Sequence, residues 1–225
     1  MWTKISVGIL LAVVLVVCSI FALPYTASNL ATNALREQTG AEDVQISITD
    51  SPRLVFGEVG AIDGVLRQGR IGKIFVRELT VTGTHLRFDV WTLLREQKLE
   101  LMDAGSITLR GVVDADAIRE LITNNARKFE KVAVTITPGG ILTTAKTRAL
   151  GQTFEVTLDG SFVIVSGDLY YKANRITARG MGLNALSLDG LFPDVLVARA
   201  DAMPLGLAFQ TVETKDGIVV LTAGK

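Results

Sequence analysis

The sequence predicts an α+β domain, with about ten mainly antiparallel strands packed on one or two helices behind an N-terminal transmembrane helix. Three features carry this. The stretch ISVGILLAVVLVVCSIFAL, Ile5 to Leu23, holds nineteen residues without a charge. From Val44 onward, short β-rich runs are separated by glycine and Asp-Gly turns. In Ser106 to Asn125 the period changes: Ile107, Leu109 and Val113 alternate, whereas Ile118, Leu121 and Ile122 have helical spacing. Asp114 marks the change as an N-cap, and Asp116 puts negative charge in the first helical turn.

The uncharged stretch would span about 28 Å as a helix, close to the thickness of a bilayer's hydrocarbon. A signal-peptide core is shorter and is followed by a small-x-small site, whereas Tyr25-Thr26-Ala27 offers a bulky residue there. Residues 1–23 are therefore read as an anchor or uncleaved signal, and 24–225 as the domain it carries. Val17 before Cys18 argues against acylation of that cysteine. Lys4 precedes the span and the next charges are Arg36 and Glu37, which orients the N-terminus inward and the domain outside the cytoplasm. Cys18 is the chain's one cysteine, so the domain relies on its hydrophobic core rather than on disulfides.

Beyond the membrane, Pro24 to Gly40 suits a helix, with Leu30, Ala31, Ala34 and Leu35 on one face. Val44, Ile46 and Ile48 alternate in a strand. Val59 to Leu66 and Lys73 to Thr82 suit strands joined by a glycine-rich turn, Arg67 to Gly72. His85 to Val90 is extended, and Trp91 to Leu94 suits a helical turn. After the Asp114 helix come Val132 to Ile136, Ile141 to Arg148, Phe154 to Leu158, Phe162 to Val165 and Leu169 to Thr177. Pro138-Gly139-Gly140, Asp159-Gly160 and Gly167-Asp168 are the turns between them. A looser stretch surrounds Leu186 to Pro193, and Leu207 to Thr214 pairs with Ile218 to Ala223 through Lys215-Asp216-Gly217.

Catalytic chemistry has little to draw on. His85 is the one histidine, and no motif around it supports a zinc site or a Ser-His-Asp triad. Asp114 and Asp116 lack the partners and closing glutamate of a calcium loop. Gly64 to Ile71 imitates a phosphate-binding loop without its Lys-Ser/Thr ending. No enzyme activity, metal or cofactor is expected. Equal numbers of basic and acidic residues, 23 each, give no global field to attract nucleic acid.

Arg67, Arg70, Lys73 and Arg77 form the conspicuous basic cluster, readable as a solvated turn or as a contact for anionic lipid head groups. Phe162 to Val165 and Ile218 to Leu221 are apolar at consecutive positions, which fits strands under a second layer or lining an apolar cavity.

The order of these features resembles a known family. An early strand closes on a proline in Ser47-Ile48-Thr49-Asp50-Ser51-Pro52-Arg53-Leu54. A strand runs into a helix through Gly105-Ser106-Ile107-Thr108-Leu109-Arg110-Gly111-Val112-Val113-Asp114-Ala115-Asp116-Ala117-Ile118. The chain closes with Met203-Pro204-Leu205-Gly206-Leu207 and an Asp216-Gly217 hairpin. Together these resemble the LmeA-type phospholipid-binding proteins of bacterial cell envelopes, over most of Leu30 to Lys225. The resemblance implies an extracytoplasmic, non-enzymatic lipid-binding protein, and at fold level a curved sheet curled about a helix, similar to the tubular lipid-binding folds. Its partners would be a phospholipid or related anionic lipid and the cell membrane. It carries over no residue-level site. On physical grounds, Ile118, Leu121 and Ile122 would line an apolar slot and Arg67, Arg70 and Lys73 would meet the head group. A structural or interaction module of the envelope without a lipid ligand is the competing reading.

Overall fold

The computed structural model describes residues 43–49, 58–89, 91–92, 95, 101–126, 128–149, 152–180, 183–187, 192–203 and 206–225. The expected transmembrane stretch and the helix after it lie outside these residues. No described helix is long and apolar enough to cross a membrane. Twelve strands and the helix α1 (Ala115–Asn125) are described, against about ten strands expected. The α+β class and the antiparallel pairing hold throughout.

Sheet A contains β1 (Asp43–Thr49), β2 (Glu58–Ile71), β3 (Ile74–Phe88), β4 (Leu101–Asp114), β12 (Ile218–Gly224) and β11 (Ala208–Lys215), in the order β1-β2-β3-β4-β12-β11. Sheet B contains β5 (Phe129–Thr137), β6 (Gly140–Ala149), β7 (Gln152–Val165), β8 (Asp168–Gly180) and β10 (Val195–Ala198), in the order β10-β8-β7-β6-β5. β9 (Leu183–Ser187) also pairs with β8. Buried side chains of both sheets and of α1 form one continuous hydrophobic core. The Asp114 cap is present, its Oδ1 accepting from the Ala117 N–H at 3.0 Å.

Two expected turns are strand instead. Arg67 to Ile71 is strand, so the turn between β2 and β3 shrinks to Gly72 and Lys73. Asp159-Gly160 is likewise inside β7, at an irregularity in its pairing with β8 rather than at a turn. Gly160 is needed there because the Tyr171 ring lies on it: a Cβ would sit 2.6 Å from Tyr171 Cζ.

The long strands of sheet A change faces as they run. In β3 the buried residues are Ile74 and Val76, then Leu79, Val81 and Gly83, then Leu86 and Phe88. In β2 they are Val59, then Ile62, Gly64 and Leu66, then Gly69 and Ile71. Strict alternation would keep one parity, since a one-residue slip moves every side chain across the sheet. Each parity change falls at a residue with positive φ, Gln68 (56°) or His85 (52°), or directly opposite one. Such local kinks bend a strand and raise its twist, so they curl the sheet.

Main-chain contacts tie the two sheets together. The Lys73 N–H donates to the Val197 carbonyl at 2.8 Å, docking the β2–β3 turn on β10. At the other side of sheet A, β11 crosses sheet B. There the Phe209 N–H donates to Gly167 at 3.2 Å and the Gly217 N–H to Ile136 at 3.1 Å. Gly72 permits the first of these contacts. Its φ is 57°, and a Cβ would lie 2.2 Å from the Val197 carbonyl oxygen.

Gly72→Ala and Gly217→Ala separate those two demands. Gly217 also has positive φ (76°) but open space around it. Its replacement should cost about 1–2 kcal/mol from the left-handed backbone alone. Gly72→Ala should add roughly 1–3 kcal/mol of overpacking. Urea unfolding midpoints of the two variants measure the difference.

Candidate functional site

Ile118, Leu121 and Ile122, the residues expected to face a slot, are at most 2% exposed and belong to the common core. Helix α1 packs against β3, β4 and β5. A groove of about 800 Å³ runs along the opposite, polar side of the same helix. Gln68, Phe75 and Arg77 form one wall, and Asp116, Arg119 and Glu120 the other.

Most charges in the groove are already matched. Arg119 pairs with Asp116 at 2.9 Å, and Arg70 reaches Glu120 at 3.7 Å while lying 4.0 Å over the Phe75 ring. Asp114, which also lines the groove, caps the helix. Neither Arg77 nor Asp114 makes an ion pair among the described residues, so with Arg70 at the rim the groove balances three basic against three acidic groups. The expected basic cluster is thus divided. Arg70 stands at the groove rim; Arg67 pairs instead with Asp43 of β1 at 3.7 Å, and Lys73 sits in the turn docked on β10. Phe75 and Arg119 were not singled out from the sequence. Arg119 is an ordinary surface helix residue by pattern, and only the hairpin's return over α1 gives it a role.

The larger apolar feature is the inner face of sheet A. Between the face changes, cross-strand rows join Leu66, Leu79, Gly111 and Leu221, then Val81, Leu109 and Ala223. A third row joins Ile62, Gly83 and Ile107. Their apolar side chains are all buried. Strands of 14 and 15 residues extend about 45–50 Å, whereas an 11-residue helix extends about 16 Å. Helix α1 therefore accounts for only part of this face.

Sheet B contains a polar anomaly. Tyr171 is fully buried, packed edge-on against Phe162 (5.3 Å) and Phe192 (6.2 Å). Its hydroxyl ends near Thr143, and among the described residues neither hydroxyl has a partner in hydrogen-bonding geometry. Burial pushes the phenol well above the usual tyrosine range; the Thr143 hydroxyl opposes this and the Asp159 carboxylate adds to it. Among the described residues no group of three or more His, Cys, Asp or Glu could hold a metal. His85 is exposed on β3, at one of the two kinks.

A family model described as LmeA-like phospholipid-binding matches residues 19–224. The chain belongs to this family. Searches of curated proteins and of solved structures find no match. The LmeA-like match spans both sheets, the helix and the groove, so the apolar inner face belongs to the matched region.

Tyr171→Phe removes a buried hydroxyl that has no partner among the described residues, a group whose desolvation costs about 1–3 kcal/mol. The variant should be as stable as the parent or more so. Because Tyr171 titrates above its unfolded value, the unfolded state releases a proton first as pH rises. The parent should therefore lose stability above about pH 10, by up to about 1.4 kcal/mol per pH unit from this group. Tyr171→Phe should lack that increment in urea titrations at successive alkaline pH values.

Proposed function

We propose that the protein binds a phospholipid or related anionic envelope lipid without catalysing a reaction. The acyl chains lie along the central apolar rows of sheet A, with the Ile118, Leu121 and Ile122 face closing one end. The phosphate lies in the α1 groove, against the Arg77 guanidinium. Residues 1–23 hold the domain on the outer side of the bacterial cytoplasmic membrane.

The observation that supports this reading best is the length of the inner face. One leaflet's acyl chains occupy about 15 Å, half of the hydrocarbon thickness. The sheet provides more apolar length than α1 and such a chain together require. The groove starts at Gln68 and Arg77, next along the strands to the Leu66–Leu79 row.

Native mass spectrometry of protein released from membranes, followed by lipid extraction, tests the reading. The parent should carry a phospholipid mass. Leu109→Gln, in the middle of the rows, should lose it while keeping a folded circular dichroism spectrum. Leu121→Ala should lower stability by about 2–5 kcal/mol and still carry lipid. A parent free of lipid after incubation with phospholipid vesicles would favour the envelope interaction module instead.

A further inference from the structure

We propose that the β3–β4 end of sheet A, carrying Trp91 and Met102, is the surface that docks on a phospholipid bilayer. Trp91 is 75% exposed and Met102 65% exposed, the two most exposed large hydrophobic residues among those described. Both belong to one end of the sheet: β3 ends in the Phe88–Leu101 pair, three residues before Trp91 and one before Met102.

Local structure holds both residues there. Asp89 Oδ1 accepts from the Trp91 N–H (2.9 Å) and the Thr92 N–H (3.2 Å), and Thr92 Oγ1 donates to Oδ2 at 2.9 Å. The turn bearing Trp91 is thus fixed by the residue that follows β3. Pairing shifts between Arg87–Asp103 and Phe88–Leu101, which leaves Met102 as the extra residue. Bulges re-aim side chains in this way.

The chemistry fits a bilayer surface. Tryptophan prefers the level of the lipid head groups, where its ring is apolar and its N–H remains wet. The described charges of this stretch carry no positive excess: Arg87 pairs with Glu58 at 3.8 Å, and Asp89 and Asp103 stand against Arg95. Docking therefore relies on apolar insertion, not on attraction to anionic lipid. The choice of a lipid partner rests on the phospholipid-binding reading, and the surface lies where the inner apolar face ends, at Leu86 and Phe88.

Trp2→Phe in the full chain leaves Trp91 as the single tryptophan. This protein is reconstituted in phosphatidylcholine vesicles with and without brominated phosphatidylcholine, and native mass spectrometry of the same preparation measures bound lipid. Trp91 emission should shift to the blue and be quenched by brominated lipid, unchanged between low and high salt. Adding Met102→Gln should reduce the quenching. Water-like, unquenched emission would overturn the docking surface even if lipid is bound. A blue shift without quenching would overturn it too, by showing a protein contact. Quenched Trp91 in lipid-free protein would support docking and count against the binding reading alone.

Discussion

Helix α1 extends about 16 Å over strands that run about 45–50 Å, and this mismatch of lengths governs the rest of the architecture. An apolar sheet face must be covered, because exposed apolar area is unfavourable by roughly 25 cal/mol per Å². A single three-turn helix satisfies that need at one end only. Sheet B and the curl of sheet A provide more cover, through the docking of the β2–β3 turn on β10 and the crossing of β11 over β5, β7 and β8. The central rows lie beyond the helix and are closed by the rest of the core.

The face changes at Gln68 and His85 make this arrangement possible. A flat, strictly alternating hairpin of this length would present one continuous stripe and stay nearly straight. Paired kinks break the stripe into three blocks and turn the strand ends inward. The middle block carries the rows proposed for acyl chains. The block nearest α1 turns Phe75 and Arg77 to the outside, where they form a wall of the groove. One backbone device thus separates the polar groove from the apolar rows along the same two strands.

Much of this was legible in the sequence. The switch of period at Asp114 located α1 and its cap, and the Asp216-Gly217 turn located the last hairpin. The strand character of β5, β6 and β8 followed from alternation and turn residues. Legibility failed where a non-glycine residue takes positive φ, since neither Gln68 nor His85 carries a local signal for it. The run Arg67 to Gly72 therefore looked like a turn, and its basic residues looked like one cluster. Gly160 misled for a different reason. Beside Asp159 it has the composition of a turn, whereas its role is to receive the Tyr171 ring from a neighbouring strand. The α1 groove joins residues about forty positions apart, from Phe75 and Arg77 to Arg119 and Glu120, and no local pattern links them.

The central claim is that acyl chains lie on the middle block of sheet A. Photo-crosslinking with a phospholipid bearing a diazirine in its acyl chain addresses it most directly, with labelled peptides mapped by mass spectrometry. The account predicts labelling within residues 59–66, 79–86 and 104–111, competed by unlabelled phospholipid. Competable labelling confined to sheet B, or to the polar side of α1, would contradict it.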